Sequence, residues 1–307
     1  MNPMASTRQA LGTVSISRML RVVVLLAAFL VLSGCSRFLF FPQSQWVRTP
    51  DALGIDYENV ELVAADGTRL NAWWLESFAE PEGTVVFFHG NAENISTHIG
   101  SVYWLPEANY QVLMLEYRGY GKSEGRPGVP EIFQDIRAAL EWTFADPRTQ
   151  DKPVFVLAQS LGAAMSSYTI ANAPELNAQL SGVAFDASFT SYREITREVA
   201  SRWWLTWPFQ YPAAWTMPRD YDPVDYVEYI SPTPVLIIHG RQDEIIPFRM
   251  GEEMFAAAEP PKNFLSFDGP HIQTFRDLQL RQTLLDFYKE APARKAVSYT
   301  HLRAHET

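Results

Sequence analysis

Three residues with complementary chemistry stand far apart in the sequence: Ser160, Asp243 and His271. A serine hydroxyl attacks a carbonyl carbon only when a base within hydrogen-bond reach removes its proton. A histidine can take that proton and return it to a leaving group, and an aspartate can fix the imidazole tautomer and stabilise the imidazolium. A fold that brings the three together would therefore support nucleophilic catalysis by Ser160, with His271 as base and Asp243 as its orienting acid.

Ser160 lies between two segments typical of a strand followed by a helix. Residues 154–158 form a short apolar run, and Gly162 opens a run of small residues suited to close packing of a helix. A serine at such a turn projects its hydroxyl clear of the sheet and faces the positive end of the helix. The pattern alone leaves two interpretations open: a nucleophile elbow, or an ordinary turn with a capping serine.

Short apolar runs alternate with helical patterns along most of the chain. Strands are predicted at residues 57–63, 69–76, 84–89, 111–116, 154–158, 182–186, 234–239 and 263–267. Helices are predicted from residue 94 onward, after residue 160, and at residues 130–144, 248–258 and 272–289. The alternation predicts an α/β fold: a mostly parallel central sheet with a leading antiparallel hairpin and helices on both faces.

The candidate residues follow strands in this scheme. In a mostly parallel sheet the ligand lies beyond the carboxyl ends of the strands. Ser160, Asp243 and His271 each come after a different predicted strand, so we expect them at one edge of the sheet. Asp186, which ends another strand, is an alternative acid, although it can equally cap the residues that follow it.

The loop after strand 84–89 is a second candidate element of the site. Acyl transfer requires backbone N–H groups aimed at the developing oxyanion. One donor is expected from Leu161, directly after Ser160 at the start of a helix. The other is expected from this loop, at Asn91 or alternatively at Ala92.

Five motifs in this order resemble the α/β-hydrolase family, in particular its serine hydrolases with a His-Gly-Asn-Ala loop. They are His89-Gly-Asn-Ala-Glu-Asn94, Tyr117-Arg-Gly-Tyr-Gly-Lys-Ser123, Gln159-Ser-Leu-Gly162, His239-Gly-Arg-Gln-Asp243 and Gly269-Pro-His271. The resemblance covers roughly residues 55–290. It implies the α/β-hydrolase fold with the triad Ser160, Asp243 and His271, and it favours Asp243 over Asp186. The sequence departs from the Gly-x-Ser-x-Gly pattern at Ala158, which replaces the first glycine.

The same resemblance implies a serine hydrolase that cleaves carboxylic esters or thioesters through an acyl-enzyme. Residues 189–231 are predicted to form a cap inserted between two strands. The cap and the strand ends would enclose an apolar pocket for an acyl or aryl substrate, unless its aromatic residues simply pack it onto the sheet. Two other functions stay open: a catalytically silent binding lipoprotein on this fold, and a serine peptidase that uses the same triad.

Residues 1–34 have the pattern of a bacterial lipoprotein signal peptide. Arginines precede the apolar run 22–32, which is too short to span a bilayer of about 30 Å. The run ends in Leu32-Ser-Gly-Cys35, which resembles the lipobox, so Cys35 is predicted to be lipidated; a plain signal anchor is the alternative. We expect the protein in the bacterial cell envelope, tethered to a membrane, and Ser36 favours the outer membrane over the inner.

The remaining boundaries follow from composition. Residues 35–52 are predicted to be a membrane-proximal tether, residues 53–290 the hydrolase domain, and residues 291–296 a tail. Residues 297–307 resemble the translation of a sequencing adapter, so they are left out of the predicted fold and the natural end is undefined beyond about Ala296.

Charge and motif content narrow the set of partners. The formal net charge of −10 argues against a nucleic-acid partner, which would require a basic face. The single cysteine leaves no internal disulfide. The Gly-rich loop around Gly121 lacks the spacing of a phosphate-binding loop, and we expect neither a metal nor a cofactor. The sequence leaves the oligomeric state open.

Overall fold

The computed structural model describes residues 39–305, with side chains through residue 298. One eight-stranded sheet has the spatial order β1-β2-β4-β3-β5-β6-β7-β8. The strands are β1 (Tyr57–Val63), β2 (Arg69–Leu75), β3 (Gly83–Phe88), β4 (Tyr110–Leu115), β5 (Val154–Gln159), β6 (Gly182–Asp186), β7 (Val235–Gly240) and β8 (Lys262–Phe267). The α-helices are α1 (Ile95–His98), α2 (Ile132–Ala145), α3 (Leu161–Ala171), α4 (Pro174–Asn177), α5 (Tyr192–Ser201), α6 (Gln210–Trp215), α7 (Phe248–Ala257) and α8 (Leu278–His305).

The sheet has the predicted mixture of pairings. β1 pairs antiparallel with β2 and β2 antiparallel with β4, whereas the strands from β4 to β8 are paired in parallel. Each strand matches a predicted run to within one residue at either end. The predicted fold class, with its leading antiparallel hairpin and a mostly parallel sheet, is confirmed.

The apolar strands are buried because helices cover the sheet on both faces. Phe155 and Leu157 of β5 belong to a core cluster that includes Leu284 and Tyr288 of α8. Alternate residues of a strand point to opposite faces, so Val156 faces the other side, where α2 and α3 pack together. Every residue of β5 is buried, so the strand is held on both faces and the turn that follows it has a fixed position.

The chain before β1 is part of the packed structure. We call residues 39–47 the strap. Its Gln43 N–H donates to the Glu93 carbonyl oxygen at 3.0 Å, and its Trp46 indole N–H donates to the Glu116 carboxylate at 2.7 Å. Phe40 is buried. The described fold therefore extends to residue 39, ahead of the domain start predicted at residue 53.

The C-terminal helix differs from the prediction at both ends. Ile272 has a φ of 46°, and a 3₁₀ turn at Thr274–Arg276 follows it, so α8 begins only at Leu278. The helix continues through residues 291–296, which were predicted to be a tail. Ala291 is fully buried there, which makes this segment part of the core rather than an appendage.

The predicted signal peptide, residues 1–34, and the predicted lipidation site Cys35 lie outside the described residues. Within residues 39–305, no helix combines the length and the apolar character needed to cross a bilayer.

Candidate active site

Ser160 occupies the turn between β5 and α3 in a conformation that few residues adopt. Its φ is 53° and its ψ is −117°. Such strained backbone clusters at functional turns. The Ser160 N–H donates to the Asp186 carbonyl oxygen at 2.8 Å, and its side chain makes no capping hydrogen bond to α3. Of the two interpretations that the sequence left open, this geometry favours the nucleophile elbow over a capping serine.

The elbow requires a glycine at Gly162 and not at Ala158. A Cβ atom at Gly162 would stand 2.4 Å from the Phe88 carbonyl oxygen and 2.5 Å from that of His89, so only glycine lets α3 approach β3 this closely. Ala158 lies inside β5 and is fully buried, and it is not among the residues with positive φ. The departure from the Gly-x-Ser-x-Gly pattern therefore introduces no backbone conflict, because the strain is located at Ser160.

The three residues predicted to form the triad are linked by two consecutive hydrogen bonds. His271 Nε2 is 3.1 Å from Ser160 Oγ, and His271 Nδ1 is 2.7 Å from Asp243 Oδ2. The second carboxylate oxygen of Asp243, Oδ1, accepts hydrogen bonds of 2.8 Å each from the N–H groups of Ile245 and Ile246. The loop after β7 thus fixes the carboxylate, and the carboxylate orients the imidazole toward the serine.

The electrostatics keep Asp243 ionised. Burial acts to raise the pKa of its carboxyl. The hydrogen bond from His271, the positive charge of the protonated His271 ring and the two loop N–H groups lower this pKa, and together they outweigh burial. The resulting pKa of Asp243 lies below its ordinary value. A buried carboxylate in contact with the imidazole favours the neutral tautomer with Nδ1 protonated, which leaves Nε2 free to accept the serine proton.

Asp186, the alternative acid, is bound elsewhere. Its carboxylate accepts hydrogen bonds from Gln159 Nε2 at 2.8 Å and from Thr274 Oγ1 at 2.9 Å. Burial raises the pKa of Asp186 to about 6. Gln159 precedes the candidate nucleophile and Thr274 follows His271 by three residues, so Asp186 ties the elbow to the histidine loop. The sequence carried no signal of this positioning contact.

The loop after β3 holds one free N–H close to the elbow. A Cβ built on Gly90 would be in ordinary contact with Ser160 Cβ, at 3.4 Å. The Ala92 N–H donates to Asn91 Oδ1 at 2.8 Å and is therefore occupied. The N–H groups of Asn91 and Leu161 have no acceptor among residues 39–305. Of the two loop donors that the sequence allowed, the structure leaves Asn91 available.

The strap holds this loop through the Asn91 side chain. Asn91 Oδ1 also accepts hydrogen bonds from the Phe41 N–H at 3.2 Å and the Tyr120 hydroxyl at 3.0 Å, and Asn91 Nδ2 donates to the Leu39 carbonyl oxygen. Ala92 has a φ of 66°, so the loop needs such support. Sequence reasoning missed the strap because its contacts are largely made by main-chain atoms, which leave no periodic pattern.

The other histidines near the site are structural. The rings of His89 and His98 lie at a tilt of 31° with centroids 5.0 Å apart, and burial lowers the pKa of both. His239 Nε2 lies 3.0 Å from the Ile246 carbonyl oxygen, and burial lowers its pKa as well. Neutral buried rings of this kind support the loops that carry Asn91 and Asp243.

The aromatic stretch of the cap at residues 203–215 is exposed to solvent. Six aromatic side chains between residues 203 and 215 have exposed fractions from 55% to 84%. They are Trp203, Trp204, Trp207, Phe209, Tyr211 and Trp215. Neither of the two predicted roles, lining a pocket or packing the cap onto the sheet, describes them, because both would bury these rings.

A polar cavity of about 350 Å³ lies away from the triad. Residues of β1, β2 and the Gly-rich loop line it, including Glu61, Arg69 and Glu124. Arg69 and Glu124 form an exposed ion pair there. A charged lining without any triad residue is unsuited to an acyl chain, and we do not assign the substrate to it.

A mostly parallel sheet that carries a nucleophile elbow, an imidazole and a carboxylate at one edge defines the class of α/β hydrolases. The chain belongs to the α/β-hydrolase family. Residues 79–225 match the family model described as serine aminopeptidase, S33, a span that includes Asn91 and Ser160.

Relatives extend the match to most of the chain. The chain is 30% identical over 277 residues to the uncharacterized protein YfhR of Escherichia coli strain K12, covering 88% of this chain and 92% of YfhR. It is 30% identical to the alpha/beta hydrolase domain-containing protein WAV2 of Arabidopsis thaliana, covering 74% of this chain and 76% of WAV2. An esterase of Pyrococcus furiosus shares the fold with a TM-score of 0.67 at 20% identity, covering 82% of this chain and 97% of the esterase.

Proposed function

We propose that this protein is a membrane-tethered serine hydrolase that cleaves carboxylic ester or thioester bonds. The observation that carries the proposal is the hydrogen-bonded chain from Ser160 Oγ through His271 to the Asp243 carboxylate, with distances of 3.1 Å and 2.7 Å. Both are within the reach that general-base activation of a serine requires. An alcohol nucleophile activated in this way performs acyl transfer.

The geometry supports a two-step reaction. His271 Nε2 takes the Ser160 proton as the Oγ atom attacks the carbonyl carbon, and the Leu161 and Asn91 N–H groups would receive the oxyanion. His271 then gives the proton to the departing alcohol or thiol, which leaves an acyl group on Ser160. Water then attacks the acyl carbon while His271 accepts its proton, the bond between Ser160 Oγ and the acyl carbon breaks, and His271 returns the proton to Oγ as the acid is released. Asp243 stays ionised throughout and stabilises the imidazolium.

The tether is proposed from the sequence. Residues 1–34 would be removed as a lipoprotein signal peptide, and Cys35 would become the lipidated N-terminus. The protein would then reside in the bacterial cell envelope, with the outer membrane favoured by Ser36. A single lipid modification of this kind adds membrane affinity in proportion to the buried CH₂ groups.

Labelling by a fluorophosphonate probe tests the catalytic proposal. We expect the folded wild-type protein to be labelled at Ser160, and the Ser160→Ala variant to be unlabelled and to lose roughly 10³-fold or more of its activity on p-nitrophenyl esters. A series of acyl lengths, with matched thioesters, then defines the substrate class. If wild type and Ser160→Ala are equally unlabelled and equally inert, the silent binding-protein alternative replaces this proposal.

A peptidase is the second candidate, because the matching family model carries the description serine aminopeptidase, S33. The same acyl-enzyme chemistry would act on an amide, with His271 protonating a departing amine. Aminoacyl p-nitroanilides, assayed beside p-nitrophenyl esters of the same acyl group, separate the two candidates. Amide turnover at or above ester turnover would favour the peptidase.

A further inference from the structure

The cap presents an apolar surface that no other part of the described chain covers. We call residues 199–217 the aromatic surface. Its exposed members include four of the nine tryptophans of the chain. Large exposed apolar surfaces on a protein mark interaction sites, and this concentration of exposed rings in nineteen residues points to one.

The composition of the aromatic surface points to a lipid bilayer. Indole and phenol rings combine an apolar body with a polar edge, and tryptophan and tyrosine are enriched where membranes meet water. Residues 199–217 contain a single charged residue, Arg202, and no acidic residue, although the whole chain carries a net charge of −10. The patch therefore lacks the negative charge that would repel an anionic membrane surface.

The strap and the cap stand on either side of Ser160 at the same edge of the sheet. β5 lies between β3, whose loop is held by the strap, and β6, which leads into the cap. The cap reaches the acid loop as well, since Arg202 Nη2 donates to the Ile245 carbonyl oxygen at 3.0 Å. Both elements consequently border the site from which a substrate would enter.

The proposed lipid on Cys35 would bring a bilayer to this edge. Cys35 precedes Leu39 by four residues, which extend over about 14 Å at most. Leu39 is hydrogen-bonded to Asn91, and the Phe41 side chain beside it is exposed. A lipid on Cys35 would thus place the membrane within about 14 Å of the strap.

We propose that the aromatic surface, together with Phe41, rests on the lipid bilayer and turns the edge that carries Ser160 toward the membrane. This orientation rests on the proposed lipid at Cys35, and its consequence for substrates rests on the proposed hydrolase activity. The site would then act on esters presented at the membrane surface.

Tryptophan quenching tests the docking without any assay of catalysis. The full-length protein is reconstituted in phosphatidylcholine vesicles with or without brominated acyl chains, which quench indoles at the bilayer. We expect strong quenching in the wild type and loss of most of it when Trp203, Trp204, Trp207 and Trp215 are all changed to Ser. The remaining tryptophans, among them Trp73 and Trp74 in the core, supply the background.

A matched control replaces equally exposed apolar residues away from the cap. Val63, Phe78 and Leu278 are all exposed. Their joint replacement by Ser is expected to leave the quenching unchanged. Equal quenching in the wild type and in the four-tryptophan variant would overturn the proposal. If that variant changes only the oligomeric state measured by light scattering, the surface binds a second copy, and the bilayer proposal is overturned as well.

The catalytic consequence is measured separately. We expect the four-tryptophan variant to lose on the order of tenfold in kcat/KM on a vesicle-borne ester and to retain its rate on a short soluble ester. Equal losses on both substrates would contradict the orientation. If the wild type hydrolyses neither ester, the proposed function fails, and the quenching result still decides whether the surface docks.

Discussion

The strap and the cap flank the same serine but are joined to the fold in opposite ways. Main-chain groups of the strap form hydrogen bonds with the loop after β3. The strap also buries Phe40, and the ring of its Trp46 packs edge-on against Trp73 with centroids 4.8 Å apart. The cap leaves its largest rings in solvent. Its contacts with the neighbouring helix α7 include the ion pair between Arg249 and Glu198 at 2.7 Å.

The difference suits two tasks: the strap side positions a backbone donor precisely, and the cap side offers a surface that can adapt to what it meets. An oxyanion donor must stand within a few tenths of an ångström of its target, so the loop that carries it needs a fully satisfied support. A surface that meets a membrane or varied substrates needs exposed side chains and few fixed partners. The structure assigns the first property to the strap side and the second to the cap side.

The largest expected effect comes from a matched pair of tryptophan substitutions. Trp46→Ala removes the contact with Trp73, the hydrogen bond to Glu116 and the cation–π contact with Lys122, whose Nζ lies 3.6 Å from the ring centroid. We expect it to lower the free energy of unfolding by about 3–4 kcal/mol in urea titrations. Trp204→Ala, at an exposed cap position, is expected to change it by less than about 0.5 kcal/mol.

Similar losses from the two tryptophan variants would remove the distinction between strap and cap. An equal m-value in both titrations would show that the comparison concerns the native states and not the unfolded chains.

The next effect concerns catalysis rather than stability. Asn91→Ala removes the acceptor of the Phe41 N–H and the Tyr120 hydroxyl, and it removes the donor to the Leu39 carbonyl oxygen. The loop after β3 is then no longer held in position by the strap. We expect kcat to fall on the order of 10²-fold with little change in KM, because the Asn91 N–H acts only in the transition state.

Two companions sharpen the Asn91 result. Asn91→Asp keeps the acceptor oxygen and should recover part of the lost kcat, which a merely misfolded loop would not allow. Arg202→Ala breaks the cap's hydrogen bond to Ile245 and should change kcat on a soluble ester by less than about threefold. A larger loss from Arg202→Ala than from Asn91→Ala would reverse the assignment of the two sides.

The smallest effect is a pH dependence at the base of the cap. Because the folded-state pKa of Asp186 is raised to about 6, the folded protein binds a proton there more tightly than the unfolded chain does. Its contribution to stability is therefore present at low pH and is lost as pH rises through about 6. Relative to Asp186→Asn, the wild-type free energy of unfolding should fall by about 2 kcal/mol between about pH 4.5 and 6.5.

Urea titrations of both proteins across that pH range provide the measurement. A difference between wild type and Asp186→Asn that is independent of pH would mean that Asp186 does not titrate in this range, and the polar tie between elbow and histidine loop would need another description.

The strands and the positions of the triad could be predicted from the sequence because each depends on local information. Fully apolar runs mark strands buried on both faces, and a residue directly after such a strand must lie at its carboxyl end. Ser160 follows β5 directly, and Asp243 and His271 follow β7 and β8 by three and four residues. The start of α8 could not be predicted, since the positive φ of Ile272 arises from the turn that follows His271.

The supports of the site depend on contacts between distant segments. Asn91 receives Phe41 across fifty residues, and Asp186 receives Thr274 across eighty-eight, and no periodicity records either pair. The solvent exposure of the aromatic residues at 203–215 could not be predicted either, because a run of aromatic residues in a sequence ordinarily indicates burial. The choice between Asn91 and Ala92 needed the side-chain hydrogen bond that occupies the Ala92 amide.

The strap also makes the position of a proteolytic cut decisive. If Cys35 carries the proposed lipid, a protease acting between Cys35 and Leu39 would separate the fold from that lipid and leave the contacts of Asn91 whole, releasing the proposed hydrolase into solution. A cut after Val47 would carry away Phe41, Gln43 and Trp46 with the lipid, and the released fold would keep its triad but lose the support of its oxyanion loop. A few residues of chain thus separate shedding from inactivation.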